Sequence, residues 1–248
     1  MGDNAVEVVE LTKAFGGLRA VDGISMRVPT GQRRALIGPN GAGKTTLFNC
    51  ITGSAAPSAG RIFLFGIDIT YLAEHRRTAM GMGRTYQITN VFHKLTVMEN
   101  VLLALQGTIR QKWVLHRSIG AFRESRARAL EELERVGLTA RASDPVRLLS
   151  YGERRQLEFA LALANRPRLL LLDEPASGLS PGERQRIAET IAQLPREITI
   201  ILIEHDMSLA LGLADQVTVL HRGRVILEGT RGEVQANPQV REVYLGTL

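Results

Sequence analysis

Gly38-Pro39-Asn40-Gly41-Ala42-Gly43-Lys44-Thr45-Thr46 is the stretch that decides how this 248-residue chain folds. It matches the pattern GxxxxGK[ST], and its setting fits: an apolar run at 34–37 precedes it, and Leu47, Cys50 and Ile51 follow at helical spacing up to Gly53. Strand, glycine loop and helix are expected in that order. The glycines let successive backbone N–H groups turn inward around phosphate oxygens, and the helix N-terminus adds partial positive charge. Lys44 is then expected to reach the β- and γ-phosphates, and the Thr45 hydroxyl to ligate Mg²⁺. The rival reading, a glycine turn before an ordinary helix, leaves Lys44 and Thr45 without a reason.

Outward from that loop, short β-like runs stand at 6–11, 24–28 and 61–65, each bounded by turn residues. Apolar period marks helices at 98–105, 118–136 and 152–165, so the middle of the chain is helix-rich. Beyond Pro167, residues 169–172 are four consecutive leucines, which suits a strand buried on both faces. Helix 182–194, run 198–203, helix 207–213, run 217–220 and run 225–227 follow. Alternating β and α at both ends implies a parallel sheet shared by the two ends, with the middle inserted between boundaries near 86 and 157.

Asp173 and Glu174 close the leucine strand at its C-terminal end, where open α/β sheets bind ligands. Asp173 suits a Mg²⁺ contact, and Glu174 is placed to orient or deprotonate a water aimed at a γ-phosphate. By themselves two acids at a strand end are a weak signal, since loops are solvated anyway. Ser150, three residues before Glu153, forms a capping-box pattern at the start of helix 152–165. The same hydroxyl and free amides also make a second anion site with no ligand of its own, which suggests pairing between half-sites.

Composition narrows the class. The chain is 44% hydrophobic and 23% charged, with 24 Gly and 9 Pro, which excludes collagen-like, coiled-coil and mainly disordered proteins. A single cysteine, Cys50, excludes an internal disulfide and a Cys-based metal site and fits a reducing, cytosolic setting. The N-terminal stretch has no basic n-region, and no apolar run reaches the roughly 18 residues that span a bilayer. Net charge is +6, and its excess is local: residues 107–170 hold 13 basic and 7 acidic side chains. Their interspersed order reads as a solvated helix face sooner than as a nucleic-acid or membrane surface.

The phosphate loop, LSYGERRQ at 149–156, LLLLDEP at 169–175 and IEHD at 203–206, in this order, resemble the nucleotide-binding subunit of ATP-binding-cassette transporters over essentially the whole chain. The resemblance implies one domain over 1–248: an α/β P-loop NTPase (RecA-like) core with an N-terminal antiparallel β subdomain at 1–86 and 157–248, and an inserted α-helical subdomain at 87–156. It implies ATP and Mg²⁺ as ligands, with Gly38, Pro39, Asn40, Gly41, Ala42, Gly43, Lys44, Thr45 and Thr46 around the phosphates and Phe15 stacked on adenine. Glu174, His205, Lys44 and Gln87 would serve catalysis, His205 holding the γ-phosphate and attacking water. Thr45, Gln87 and Asp173 would serve the metal, Gln87 also linking it to the helical insertion. The implied assembly is a head-to-tail homodimer, or a heterodimer with a paralogous ATPase subunit, in which Ser150 and Gly152 of one copy close on the nucleotide of the other. Seen singly, Phe15 could be core, Gln87 a surface amide and His205 an ordinary histidine. Tyr151 and Glu153 stand where the family often carries Gly and Gln, and Ser180 where it often carries Asp.

AFGGLRAV at 14–21, GMGRTYQ at 81–87, VFHKLTVMENVLLAL at 91–105 and ANPQVREVYLG at 236–246 are similar to the branched-chain amino acid uptake group. That similarity implies membrane-spanning permease subunits, a periplasmic or extracellular solute-binding protein, peripheral attachment at the cytoplasmic face of the inner membrane, and no nucleic acid. Close alternatives are an amide or urea importer and a lipopolysaccharide exporter. A soluble ATPase of the same class acting on nucleic acid would need a long coiled coil between Lys44 and Asp173, and no sustained heptads stand there. A small-molecule kinase would leave LSYGE and His205 unexplained.

Overall fold

The computed structural model of the chain describes residues 4–85, 91–107 and 119–245. Its elements begin with β1 (Asn4–Phe15), β2 (Leu18–Pro29) and β3 (Arg33–Ile37), then α1 (Lys44–Thr52), β4 (Ala59–Leu64), β5 (Ile67–Asp68), α2 (Glu74–Ala79) and β6 (Met82–Arg84). The helical middle holds α3 (Val97–Gly107), α4 (Ile119–Arg135), two short turns of 3-10 helix and α5 (Tyr151–Leu163). The remainder is β7 (Leu169–Asp173), α6 (Pro181–Ala192), β8 (Thr199–Ile203), α7 (Met207–Leu213), β9 (Gln216–His221), β10 (Arg224–Gly229), α8 (Arg231–Ala236) and α9 (Pro238–Leu245).

By their contacts these residues fall into two compact units. The first comprises Met1–Met82, Arg168–Glu174 and Leu194–Leu248; the second comprises Gly83–Pro167 and Pro175–Gln193. Residues 175–193 therefore group with the helices, whereas the sequence boundaries of 87 and 156 would leave them in the core.

In the first unit a four-stranded antiparallel sheet runs β2-β1-β4-β5, and a larger sheet runs β10-β9-β3-β8-β7, with β6 at its far edge where the chain passes to the second unit. Within the larger sheet β3 pairs in parallel with both β8 and β9, and β7 with β8, so strands from both ends of the chain share one sheet as the alternation predicts. The β9–β10 pair is antiparallel, a hairpin at the sheet edge where the chain turns at Gly223 into the run 225–227. Its tight turn at Arg222 and Gly223 leaves no length for a crossover, which parallel strands require.

All five residues of β3, β7 and β8 are buried; β7 and β8 are largely apolar, as strands covered on both faces must be, while β3 also buries the stems of Arg33 and Arg34. Each fully buried leucine of β7 contributes about 1.5–3 kcal/mol relative to exposure. α1 sits in the middle of this core: Leu47, Phe48, Cys50 and Ile51 pack with Leu36, Leu171, Ile201 and strand residues of the antiparallel sheet. In the second unit α3, α4 and α5 pack pairwise, burying among others Val101, Leu133 and Phe159.

Candidate active site

The phosphate loop leaves β3 at Gly38 and enters α1 at Lys44. Two glycines there are obligatory for steric reasons. Gly38 has φ 151° and a Cβ on it would collide with the carbonyl oxygen of Leu220, while Gly43 has φ 102° and a Cβ would collide with that of Ala20. Both obstacles are backbone and cannot swing aside. The loop is also braced from outside: the Gly223 amide donates to the Ala42 carbonyl at 2.9 Å, and the Asp22 amide to the Gly223 carbonyl at 2.9 Å. Arg224 and Arg19 both donate to the Asp22 carboxylate, at 2.7 Å and 3.1 Å, and hold it below its ordinary pKa. These supports come from the β2 and β9–β10 backbones, and no local signal in the sequence announces them.

α1 begins without help from its own side chains. Its N-cap is Gly43, no side chain accepts from the first amides, and no acid stands in the first turn. Such an end favours an anion. At the other end, Gly53 donates its amide to the carbonyl of Asn49, and the buried Arg77 guanidinium donates to the carbonyls of Cys50 and Ile51 at 2.8 and 2.7 Å. Arg77 also donates to the Leu72 and Thr70 carbonyls, so this one cation ties the C-terminus of the phosphate-loop helix to the segment before α2.

Lys44 is 7% exposed, and its ammonium donates to the carbonyls of Gly38 at 2.6 Å and Pro39 at 3.0 Å. Burial pulls its pKa down, and the nearby Glu174 and Asp173 carboxylates oppose that shift. Thr45, Asn40 and Gly41 are exposed, Thr46 and Pro39 half-buried, and Ala42 buried against the core.

Asp173, 1% exposed, is the last residue of β7, and Glu174 follows it. Glu174 adopts φ 47°, a left-handed conformation uncommon for a residue with a side chain, and its amide donates to the Ile203 carbonyl at 3.0 Å. His205 follows β8, is 58% exposed, and places Nδ1 3.9 Å from a carboxylate oxygen of Glu174 and 3.9 Å from one of Glu204. Asp206, the last residue of that motif, has a structural job: its side chain accepts from the Ser208 and Leu209 amides and starts α7. Asp173, Glu174 and His205 therefore stand at the C-terminal ends of the adjacent strands β7 and β8, with Lys44 at the start of α1 near the two carboxylates. The buried Glu204 beside His205 was not foreseen.

Phe15 ends β1 on the antiparallel sheet, 56% exposed, with the Lys13 ammonium 5.0 Å from its ring centre. Core packing is thereby removed as its role. Gln87 lies outside the described residues.

In the second unit Ser150 is exposed and caps α5: its hydroxyl accepts from the Glu153 amide at 3.1 Å, and the Glu153 carboxylate accepts from the Ser150 amide at 2.7 Å. Gly152 is buried because the Glu183 carboxylate lies where its Cβ would be. Ser180 turns out to be the N-cap of α6, both its amide and its hydroxyl donating to Glu183. Tyr151 lies against Gly178, its hydroxyl 3.4 Å from the Ser177 carbonyl.

Residues 21–177 match the family model described as ABC transporter, and residues 224–247 match the one described as Branched-chain amino acid ATP-binding cassette transporter. The high-affinity branched-chain amino acid transport ATP-binding protein BraF of Pseudomonas aeruginosa is 41% identical, with 97% of each chain covered. LivG of Salmonella typhimurium, described in the same words, is 39% identical with 99% of each covered. Among solved structures, the ADP conformation of an ATP-binding cassette of an ABC transporter superposes with a TM-score of 0.85 at 30% identity, covering 98% of this chain and 99% of that one. A dimeric post-hydrolysis cassette bound to ADP and Pi gives 0.79 at 26% identity, covering 91% and 98%. With this fold and these groups around the phosphate loop, the chain belongs to the ATP-binding cassette transporter family and is an ATP-binding, ATP-hydrolysing subunit of that class. Within the class it falls among the branched-chain amino acid transport ATP-binding proteins.

Proposed function

We propose that this chain drives uptake of branched-chain amino acids through membrane-spanning permease subunits, using ATP hydrolysed at Lys44, Glu174 and His205. The observation that carries the chemistry is the convergence of a buried ammonium, a strained carboxylate and an exposed imidazole on one uncapped helix end. Incoming phosphates offer Lys44 better acceptors than the Gly38 and Pro39 carbonyls that it now holds. Glu174 orients and deprotonates the attacking water, and His205 keeps that water and the γ-phosphate in line. Phe15 offers its exposed ring to adenine.

The oxygen donors present fit Mg²⁺. Among the described residues no group of three or more His, Cys, Asp or Glu could hold a metal alone. Mg²⁺ needs no such cage, because it takes one or two protein oxygens and completes its shell with phosphate and water. Here those would be the Thr45 hydroxyl and the Asp173 carboxylate, and the ion would supply neutralisation of the charge shared by the β- and γ-phosphates.

Ser150 and Gly152 complete the site in trans. Ser150 stands exposed at the start of α5, and a related cassette is dimeric with ADP and Pi. We assign the protein to the cytoplasmic face of the membrane as a peripheral subunit, because the relatives it resembles are ATP-binding proteins of amino acid transport; no described helix is long and apolar enough to cross a membrane. The pair is a homodimer or a heterodimer with a paralogous ATPase, served by a solute-binding protein outside.

The test is reconstitution in proteoliposomes with the permease subunits and the solute-binding protein. Leucine, isoleucine or valine should stimulate ATP turnover. Stimulation by urea, short amides or lipopolysaccharide in their place would overturn the substrate assignment.

A further inference from the structure

Asp22 stands where three separate stretches of the first unit meet. It lies on β2, and both of its carboxylate oxygens are engaged: Arg224 donates twice to one, at 2.9 and 2.7 Å, and Arg19 donates to the other at 3.1 Å. The Asp22 amide donates to the Gly223 carbonyl, and the Gly223 amide donates to the Ala42 carbonyl inside the phosphate loop, each at 2.9 Å. The turn that takes part in these bonds has two residues, Arg222 at φ 47° and Gly223 at φ 78°, both left-handed as a tight hairpin demands. Gly223 is seated close on β2: a Cβ there would lie 3.0 Å from the Ala20 carbonyl oxygen, the same oxygen that excludes a Cβ from Gly43.

This chain of bonds runs from the phosphate loop to the hairpin that carries Phe15. In the β1–β2 register Leu18 pairs with Phe15 and Arg19 with Ala14, so the Arg19 side chain held by Asp22 belongs to the residue next to the partner of the exposed ring. A nucleotide that touches both the ring and the loop needs them at one fixed separation. Both arginines are largely exposed, and ion pairs of that kind add little to stability. What this one fixes is the placement of three backbones.

We propose that Asp22 is a positioning residue for the nucleotide: by holding Arg19 and Arg224 it keeps the adenine-facing hairpin and the phosphate loop at the separation that one ATP molecule spans. A ligand bound at both ends gains from a preset spacing, and one bound at the phosphate end alone does not. The proposal rests on the reading of Phe15 and the phosphate loop as the two ends of one ATP site, and it is independent of the transported solute.

The experiment compares full-length wild type, Asp22→Asn, Arg224→Met, the double variant, and Glu7→Gln, which breaks the 2.7 Å Glu7–Arg27 ion pair elsewhere on the same sheet. Titration calorimetry without Mg²⁺ gives Kd for ATP and for inorganic triphosphate, and Tm is measured on the same samples. The quantity read is the preference for ATP, the ratio of the two Kd values, because a changed charge near the loop acts on both ligands alike and cancels. In Asp22→Asn and in Arg224→Met that preference should shrink about fivefold, with Tm close to wild type. The double variant should lose no more than either single one, since both remove the same link. Glu7→Gln should keep the wild-type preference. The proposal is overturned if Asp22→Asn leaves the preference intact, if the two single variants move it in opposite directions as a purely electrostatic effect would, if their losses add in the double variant, or if Glu7→Gln shrinks it as much. A wild type that binds triphosphate as tightly as ATP would instead refute the adenine reading of Phe15, and one that binds neither would refute the ATP site itself.

Discussion

Glu174 shows at the scale of one residue how the backbone places the carboxylate proposed as the base. A left-handed conformation in a non-glycine residue costs on the order of 1–3 kcal/mol, and such strain persists only where neighbours impose it. Here the imposition is visible: the Glu174 amide is held by the Ile203 carbonyl, one strand away, so the chain turns sharply as β7 ends. The turn brings the carboxylate to 3.9 Å from His205. Glu174→Gln keeps shape and backbone but removes the base, so turnover should fall about 100-fold or more while nucleotide affinity stays within about threefold. Single-turnover hydrolysis and equilibrium binding on the same preparation check this, and wild-type turnover in the variant would remove Glu174 from its role.

Elements are secured mainly at their ends. α5, α6 and α8 each begin with a hydroxyl residue followed three positions on by glutamate, at Ser150, Ser180 and Thr230. The sequence analysis read the pattern only at Ser150, although a cap acts over four neighbouring residues and is local in all three. α1 is the exception, its start left bare for an anion and its finish secured by Arg77 from outside the helix. The Ser150 cap makes a pH prediction. The Ser150 amide, with Arg141 3.0 Å away, holds Glu153 below its ordinary value of 4.5. A carboxyl depressed in the folded state contributes stability that is complete above its unfolded pKa and is lost as pH falls through the folded one. Wild type should therefore be more stable than Glu153→Gln at neutral pH, and the gap in Tm should close as pH is taken below 4.5. A gap that persists in acid would mean that Glu153 stabilises by shape and not by charge.

At the scale of the whole molecule, the residues proposed for hydrolysis fall in different compact units: Lys44, Asp173, Glu174 and His205 in the first, Ser150 and Gly152 in the second. If two copies meet head to tail, a Lys44→Ala chain and a Ser150→Ala chain are each inactive alone, and their mixture rebuilds one intact site in every mixed pair. Turnover should recover to about a quarter of wild type when random exchange makes half of the pairs mixed. Absence of recovery, with exchange demonstrated by fluorescence transfer, would rule out the shared site. Helices 44–52 and 207–213 and the strands around 33–37, 169–173 and 199–203 were readable in advance, since apolar period, glycine stops and caps are local properties. So were the phosphate loop and its carboxylates, whose chemistry is carried by residue type. The short β5, α2 and β6 escaped because too few residues repeat to show a period, and α8 and α9 because the tail is largely polar. What the amino-acid order determined by itself is thus a strand-loop-helix built for phosphate and the acids that serve it. Only the tertiary structure decided that Gly38 must be glycine because of the Leu220 carbonyl, that Gly43 must be glycine because of the Ala20 carbonyl, and that Arg77 finishes α1, because each depends on an atom brought close by the fold and far away along the chain.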